Sequence, residues 1–433
     1  MSQGLYRLLT GDDRAPETRE LDDEARSNVP RNFVTYVLSH VLTKIGDALM
    51  NPKTTLTWVA GALSVPTWIT GLLVPVREAG SMLLQVFLAG WVRGFRQRKW
   101  VWVGASVVEG ASVVGMGLVA LALDGRAAGF ALLGLLVVFA LARSLASVAS
   151  KDVLGRTVPR SRRGRATGWA ASVAGVATIA TGAGFLLLSP DDLGLGGLAA
   201  LLVVAGCAWL GGAALFARIV EPDAGGEAGG EALAGRFRLL AEDPVLRRFV
   251  VTRALLLCSA LSAPYYVMLA QRESGNGLGL LMAFIVAGGV AAMLGGPVWG
   301  RMADRSSRMV MVVAAAASAA LGLAVAGASW AQLPALGGAW ALPAAYFLLS
   351  VAHEGVRVGR KTYLVDIAEG ARRTDYVSVS NSSIGLVLLF VGGGGAALSA
   401  LSVEAALLGL ALAGLAGAVF GIGLPEAEGD EDD

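Results

Sequence analysis

The sequence predicts an all-α integral membrane protein of about twelve transmembrane helices in two pseudo-symmetric six-helix bundles. Three observations carry this expectation. Of 433 residues, 55% are hydrophobic and only 16% charged, against about 25% charged in ordinary soluble domains. The apolar residues lie in blocks of roughly 20 or more, the length that crosses a hydrocarbon core. An arginine-rich connection also recurs, in altered form, at an offset of 210 positions.

In order along the chain, residues 1–31 are polar and mixed in charge. They contain no apolar core of a signal peptide and read as a flexible cytoplasmic tail. The first bundle, 32–222, holds apolar spans near 33–61, 66–92, 100–123, 128–153, 166–189 and 195–220. A linker at 223–246 contains Ala-Gly-Gly-Glu-Ala-Gly-Gly-Glu, a flexible composition. The second bundle, 247–424, holds spans near 247–271, 276–300, 307–330, 337–364, 376–401 and 403–424, and an acidic tail fills 425–433. Cys207 and Cys258 sit inside apolar blocks and read as buried free thiols.

Orientation follows from the basic residues. Connections after even-numbered spans carry Arg93, Arg96, Arg98 and Lys99, then Arg156, Arg160, Arg162, Arg163 and Arg165. Later ones carry Arg236 and Arg238, then Arg301, Arg305 and Arg308, and finally Arg372 and Arg373. Connections after odd-numbered spans carry little beyond Arg126 and Arg272. The even connections, the linker and both chain ends are therefore expected on the cytoplasmic side of a bacterial-type plasma membrane.

Ionisable residues well inside the spans are the candidate functional set. They are His40, Lys44 and Asp47 in the first span, Arg77 and Glu78 in the second, and Glu109 in the third. Arg143 lies in the fourth, Arg253 in the seventh, and His353, Glu354 and Arg357 in the tenth. Facing lipid, each charge costs about 2.5–3.5 kcal/mol, so the nine besides the histidines would cost on the order of 25 kcal/mol. That exceeds the roughly 5–15 kcal/mol that stabilises a domain, so these groups must face one another or a wet cavity. Periodicity agrees. Tyr36, His40, Lys44, Asp47, Asn51 and Thr54 recur every three or four residues, drawing one stripe on a helix. Arg143, Ser147 and Ser150/Lys151 do so in the fourth span, and Ser350, His353/Glu354, Arg357 and Arg360/Lys361 in the tenth.

Each member has a plainer reading as well. Lys44 with Asp47, and Glu354 with Arg357, have the i, i+3 spacing of a structural ion pair. Arg77 and Glu78 point roughly 100° apart on a helix, so at least one needs a partner elsewhere. Pro75 just before them suggests a kink. Glu109 has no opposite charge on its own helix, which makes it a candidate proton carrier; a packed, permanently neutral glutamic acid is the alternative. His40 and His353 read as hydrogen-bonded fixtures before they read as proton relays.

The connection Gly300-Arg301-Met302-Ala303-Asp304-Arg305-Ser306-Ser307-Arg308 resembles the signature loop of the major facilitator superfamily of membrane transporters. A degraded copy runs from Gly90 to Lys99, where Arg98 answers Arg308 and Gly94 stands in place of the aspartate. Lys151 matches Lys361 at the same offset, in a chain with only five lysines, and Gly175, Gly182 and Gly184 match Gly385, Gly392 and Gly394. The resemblance covers nearly all of 32–424. It implies that the first, fourth, seventh and tenth helices line one central path, with Arg253, Tyr265 and Tyr266 as the seventh span's contribution. It also implies that Gly90, Arg98, Gly300, Asp304, Arg305 and Arg308 form a conformational latch, stronger in the second half. The alternative is a loop that only sets topology.

These readings lead to a secondary active transporter that moves a small organic solute by alternating access, coupled to protons, with the lipid bilayer as its surroundings. Five cations against four carboxylates in the candidate set favour an organic anion or zwitterion unless internal pairing cancels the excess. The fifth span lacks a proline between Gly175 and Gly184, which weakens a drug-antiporter reading. The competing readings are a non-transporting sensor or scaffold with the same fold, and a lipid-translocating relative. No G-x-x-x-x-G-K-[S/T] loop, HExxH motif or Ser/His/Asp set appears, so an enzyme or an ATP-driven pump is not expected. No cofactor, metal or nucleic-acid partner is expected either, and the protein is expected to be a monomer.

Overall fold

A computed structural model describes residues 2–10, 21–83, 88, 91–188, 194–223, 238, 240–338, 340–367 and 372–426. Among these residues the secondary structure is helical, with no strand. Two short helices, α1 (Ser2–Thr10) and α2 (Asp23–Ser27), precede the first span, which is built from α3 (Val29–Leu49) and α4 (Thr55–Ala62). The next five spans are α5 (Thr67–Leu83), α6 (Lys99–Ala122), α7 (Gly125–Thr157), α8 (Arg160–Leu188) and α9 (Gly194–Phe216). The seventh span is built from α10 (Pro244–Leu256), α11 (Cys258–Leu261) and α12 (Ala263–Ser274). The last five are α13 (Leu278–Ala303), α14 (Ser307–Trp330), α15 (Ala341–Asp366), α16 (Arg372–Ser399) and α17 (Val403–Ile422).

The helices begin where local chemistry allows. Asp243 accepts from the Val245 and Leu246 amides at 2.8 and 3.0 Å, just ahead of Pro244 at the first helical position of α10. Ser306 and Ser402 cap α14 and α17 in the same manner. Among the described residues, eight spans are long and apolar enough to cross a membrane by length and composition. The other four are the first, second, fifth and tenth; the first is broken, and the second, fifth and tenth carry charged residues.

Packing repeats between the halves. In the first, α6 lies on α9 and α7, α5 on α7, and α3 on α9 and α8; in the second, α14 lies on α17 and α15, α13 on α15, and α10 on α17 and α16. The halves meet where α5 packs on α16 and α8 on α13. Gly392 of α16 makes that approach possible, since a Cβ there would sit 2.2 Å from Cγ of Pro75. Pro75 therefore packs into the seam between the halves, while its helix runs on without a break from Thr67 to Leu83.

Both opening spans are broken at matching depth. The first stops at Met50 and restarts at Thr55, because Pro52 has no amide to donate. Asn51 repairs the gap. Its Oδ1 accepts from the Lys53 amide at 2.9 Å, its carbonyl accepts from the Leu56 amide at 3.1 Å, and Thr57 Oγ1 donates to the Pro52 carbonyl at 2.7 Å. The seventh span breaks around Leu257 and Ser262, where Ser259 Oγ donates to the Leu256 carbonyl at 2.9 Å. Such local repair is what permits non-helical backbone at membrane depth.

Several expectations are corrected here. The segment 1–31 is not a free tail where it is described. Tyr6 packs edge-on against Phe33 at 5.2 Å, Trp169 Nε1 donates to the Leu9 carbonyl at 2.6 Å, and Arg165 donates to the Thr10 carbonyl. The tail after 424 begins docked, with the Tyr363 hydroxyl donating to the Pro425 carbonyl at 3.0 Å. Of the linker, 224–237 and 239 lie outside the described residues, and its end belongs to the α10 cap. Cys258 is buried but Cys207 is exposed, because its face of α9 is turned away from the bundle.

Candidate functional site

Helix α3 carries Asp47 to the centre of the first half, where two guanidinium groups converge on it. Arg77 Nη2 of α5 donates to Oδ1 at 2.8 Å, and Arg143 of α7 donates to Oδ2. Arg77 also donates to its neighbour Glu78 at 2.9 Å, so the adjacent pair acts as one unit. Arg143 reaches Glu109 of α6 at 3.5 Å. The Glu109 side chain is 1% exposed and its Oε2 has no hydrogen-bond partner. Four helices thus deliver five ionisable groups to one network, in which each charge offsets its neighbour. Arg143 keeps 30% of its side-chain surface accessible and Glu78 25%, although helices surround them. Solvent therefore reaches the network from inside the molecule.

A second chain of contacts joins the two broken spans. Lys53 Nζ in the first break lies 3.4 Å from His353 Nε2, and His353 Nδ1 lies 3.0 Å from Ser259 Oγ in the second break. Ser259 spends its hydrogen on the Leu256 carbonyl, so Nδ1–H is the donor to Ser259. Nε2 is then the acceptor from the lysine. This lysine was not singled out by the sequence pattern; Asn51-Pro52-Lys53 inside an apolar run was the signal that a break places it there. Beyond it, Arg357 pairs with Glu354 at 2.5 Å and remains 46% exposed on its side chain. Arg253 donates to Ser380 Oγ at 2.7 Å and to Asn381 Oδ1 at 2.9 Å. Those two partners on α16 were also missed, since polar side chains in an eleventh span gave no pairing signal.

Other expected members fall elsewhere. Lys44 makes no ion pair with Asp47, whose two oxygens are taken by the arginines. His40 lies outside the network. Its Nδ1 is 2.9 Å from the Tyr36 carbonyl and its Nε2 2.9 Å from Ser150 Oγ, with its ring stacked on Tyr36 at 3.9 Å. A carbonyl only accepts, so Nδ1 carries a hydrogen and the ring ties the first span to the fourth. Asn51 serves the break itself. Tyr265 and Tyr266 sit on α12, past the second break, and at 1% and 0% exposure they belong to the core.

The loop residues contact their own half. Arg308 donates to the Ile422 and Leu424 carbonyls at 3.1 and 2.9 Å and pairs with Glu426, neutralising the end of α17. In the first half Lys99 donates to the Ile219 carbonyl at 2.8 Å beyond α9, while Arg98 pairs with Asp152 at 3.0 Å. Asp304 and Arg305 are exposed, and Gly300 has open space around it. Gly90 lies outside the described residues. Arg308 and Lys99 thus each bind carbonyls at the end of a neighbouring helix within their own half. Among the described residues no group of His, Cys, Asp or Glu is placed to hold a metal ion.

Twelve spans in two repeated bundles, a charged seam and paired helix breaks define a membrane-transporter architecture. The family model described as Major Facilitator Superfamily matches residues 34–337, and the chain belongs to that family. No curated protein matches the chain. Among solved structures, a D-xylose-proton symporter is similar over 92% of this chain and 98% of its own, with a TM-score of 0.69 and 16% identity. A mutant of the nucleoside transporter NupG has a TM-score of 0.70 at 9% identity, over 90% of this chain and 99% of its own. The xylose transporter XylE from E. coli in its inward open conformation has a TM-score of 0.65 at 14% identity, over 93% and 98%. At these identities the likeness is one of fold.

Proposed function

We propose that the protein is a secondary active transporter that moves a small organic solute across a bacterial-type plasma membrane by alternating access, driven by protons. The observation that carries this reading is the buried charge network around Asp47 in the first half, together with the Lys53–His353 contact that joins the two broken spans. Breaks at corresponding positions of repeated halves mark the binding region in transporters built this way. Glu109 is the proton carrier. When ionised it competes with Asp47 for Arg143, and when protonated it releases Arg143 to Asp47. That change re-biases α7 against α3, and the two halves rock about the seam.

The end of the molecule that bears the linker and both chain ends faces the cytoplasm, following the basic loops. The hydrogen bonds joining the halves favour an inward-facing state. Thr67 Oγ1 to the Ser399 carbonyl, Gln271 to the Trp58 carbonyl, and Lys53 to His353 all lie at mid-depth or beyond, toward the opposite end. Similar solved structures of a proton symporter, a nucleoside transporter and a transporter in complex with a thioalcohol-conjugated peptide agree with a small-molecule cargo.

The test is solute-induced proton movement in liposomes that hold the purified chain. Solute flux should follow an imposed pH gradient, and Glu109→Gln should uncouple it. Flux indifferent to the gradient, together with unchanged flux in Asp47→Asn, Glu78→Gln and Glu109→Gln, refutes the coupling.

A further inference from the structure

We infer that the cargo is an amphiphile with an anionic head and one apolar chain, and that it enters sideways, from the cytoplasmic leaflet, between α8 and α13. This rests on the transporter reading above and names its cargo. The halves touch along two seams, and these do not close to the same depth. Between α5 and α16 the approach begins at Gly71, whose Cβ would lie 3.1 Å from Cα of Ala396. It continues to Gly385, whose Cβ would lie 3.1 Å from the Leu83 amide nitrogen. Leu83 and Gly385 are about 14–16 residues from the helix ends that lie away from the linker, or about 21–24 Å. Between α8 and α13 the approach stops sooner. A Cβ at Gly182 would meet Val286 at 2.8 Å, and one at Gly289 would meet Ile179 at 2.9 Å. Ile179 and Gly289 are only about 9–11 residues from the same ends, or about 14–16 Å.

Beyond Ile179 and Gly289 the two helices part. The stripe of α13 that meets α8 at Val286 and Gly289 continues at helical spacing to Met293, Gly296 and Gly300. Met293 is 57% exposed, and a Cβ at Gly296 or Gly300 would have no neighbour within 4 Å. The facing stripe of α8 continues from Gly182 and Ile179 to Gly175, Ser172 and Gly168. Ser172 is exposed, and a Cβ at either glycine is equally free. What borders this gap decides its occupant. On the outside, Val173, Val176, Leu294 and Val298 are exposed on the same two helices and face hydrocarbon. On the inside, the neighbouring helix is α15. A Cβ at Gly295 would sit 2.6 Å from Cβ of Glu354, and Arg357 pairs with the Glu354 carboxylate yet stays 46% exposed on its side chain. Lys361, one turn further along α15, is exposed as well. A dissolved ion leaves the apolar border unfilled, and a hydrocarbon leaves the cations unanswered. A molecule that is anionic at one end and apolar at the other satisfies both, its head against Arg357 and Lys361 and its chain passing between Gly175 and Met293 into the leaflet.

The experiment follows transfer across phosphatidylcholine liposomes that hold the full chain. Lysophosphatidylglycerol is compared with lysophosphatidylcholine of the same chain and with glycerol 3-phosphate, which has a head and no chain. Lysophosphatidylglycerol should cross about tenfold faster than either. Gly175→Phe with Gly296→Phe fills the gap at positions that have room for a side chain, and should slow that transfer about tenfold or more. Gly134→Phe, at an equally open position on α7 away from the gap, should not slow it. Arg357→Gln should lower the preference for lysophosphatidylglycerol over lysophosphatidylcholine. Lysophosphatidylglycerol with a diazirine in its chain should crosslink to α8 and α13 beyond Ile179 and Gly289 more than phosphatidylcholine carrying the same group. The inference is overturned if lysophosphatidylglycerol does not cross, if either comparison compound crosses as fast, or if the filled gap transfers as the parent does. Crosslinks spread evenly around the molecule overturn it too, because the chain is then ordinary surrounding lipid. Glycerol 3-phosphate that crosses in spite of the filled gap removes the amphiphile and leaves the transporter. Lysophosphatidylglycerol that crosslinks in the gap but never crosses removes the transporter reading along with the cargo.

Discussion

Asp47 is the residue on which the first half turns, because it answers two arginines from two other helices. Removing one member of such a buried set leaves the others uncompensated, so Asp47→Ala should cost about 3 kcal/mol of stability in denaturant titrations. Lys44→Ala, one turn earlier and outside any ion pair, should stay within about 0.5 kcal/mol. Equal losses would show that the network is not what holds these helices. The inward turn of the mid-span charges was legible in the sequence, since lipid exposure of so many is unaffordable. Their pairing was not. The i, i+3 spacing offered Lys44–Asp47 and Glu354–Arg357 alike, yet only the second forms, because Arg77 and Arg143 reach Asp47 through tertiary packing that no local spacing encodes.

The helices were legible almost to their ends, as apolar runs bounded by basic loops and caps. Their interruptions were less so. Pro52 and Pro264 sit inside apolar blocks of the first and seventh spans, and hydropathy alone reads across both. The docking of α1 was hidden by its short, polar composition, for its anchors Trp169 and Arg165 lie 160 and 155 residues away. Trp169→Phe removes the donor to the Leu9 carbonyl, and the first ten residues should then be cut faster by added protease; unchanged cleavage would show that the contact does not hold α1. At the seam, Gly392→Leu drives a side chain into Pro75 and should part α5 from α16. Thr67→Cys with Ser399→Cys, at positions now joined by a 2.8 Å hydrogen bond, should then form a disulfide less readily than in the Gly392 background. Equal yield would mean that the seam accommodates the bulk.

At the scale of the whole molecule, the repeat explains why one sequence builds two similar bundles, and the two bundles differ in the charges they hold. The first half holds carboxyl groups linked to arginines, while the second half holds arginines in excess. The 210-residue offset made the repeat legible, but the depth of the contacts between halves depends on the three-dimensional state. Rocking about a charged seam requires the two ends of the molecule to move in opposite senses. The direct measurement is a pair of spin-label distances in nanodiscs, in a Cys207→Ser background. One pair is at Gly164→Cys and Gly300→Cys near the linker end, where a Cβ meets open space. The other is at Asp124→Cys and Trp340→Cys at the far end, both exposed. On moving from mildly alkaline to mildly acidic pH, the two distances should change in opposite directions, and Glu109→Gln should abolish the shift. Distances that stay fixed, or that lengthen together, would contradict proton-driven rocking.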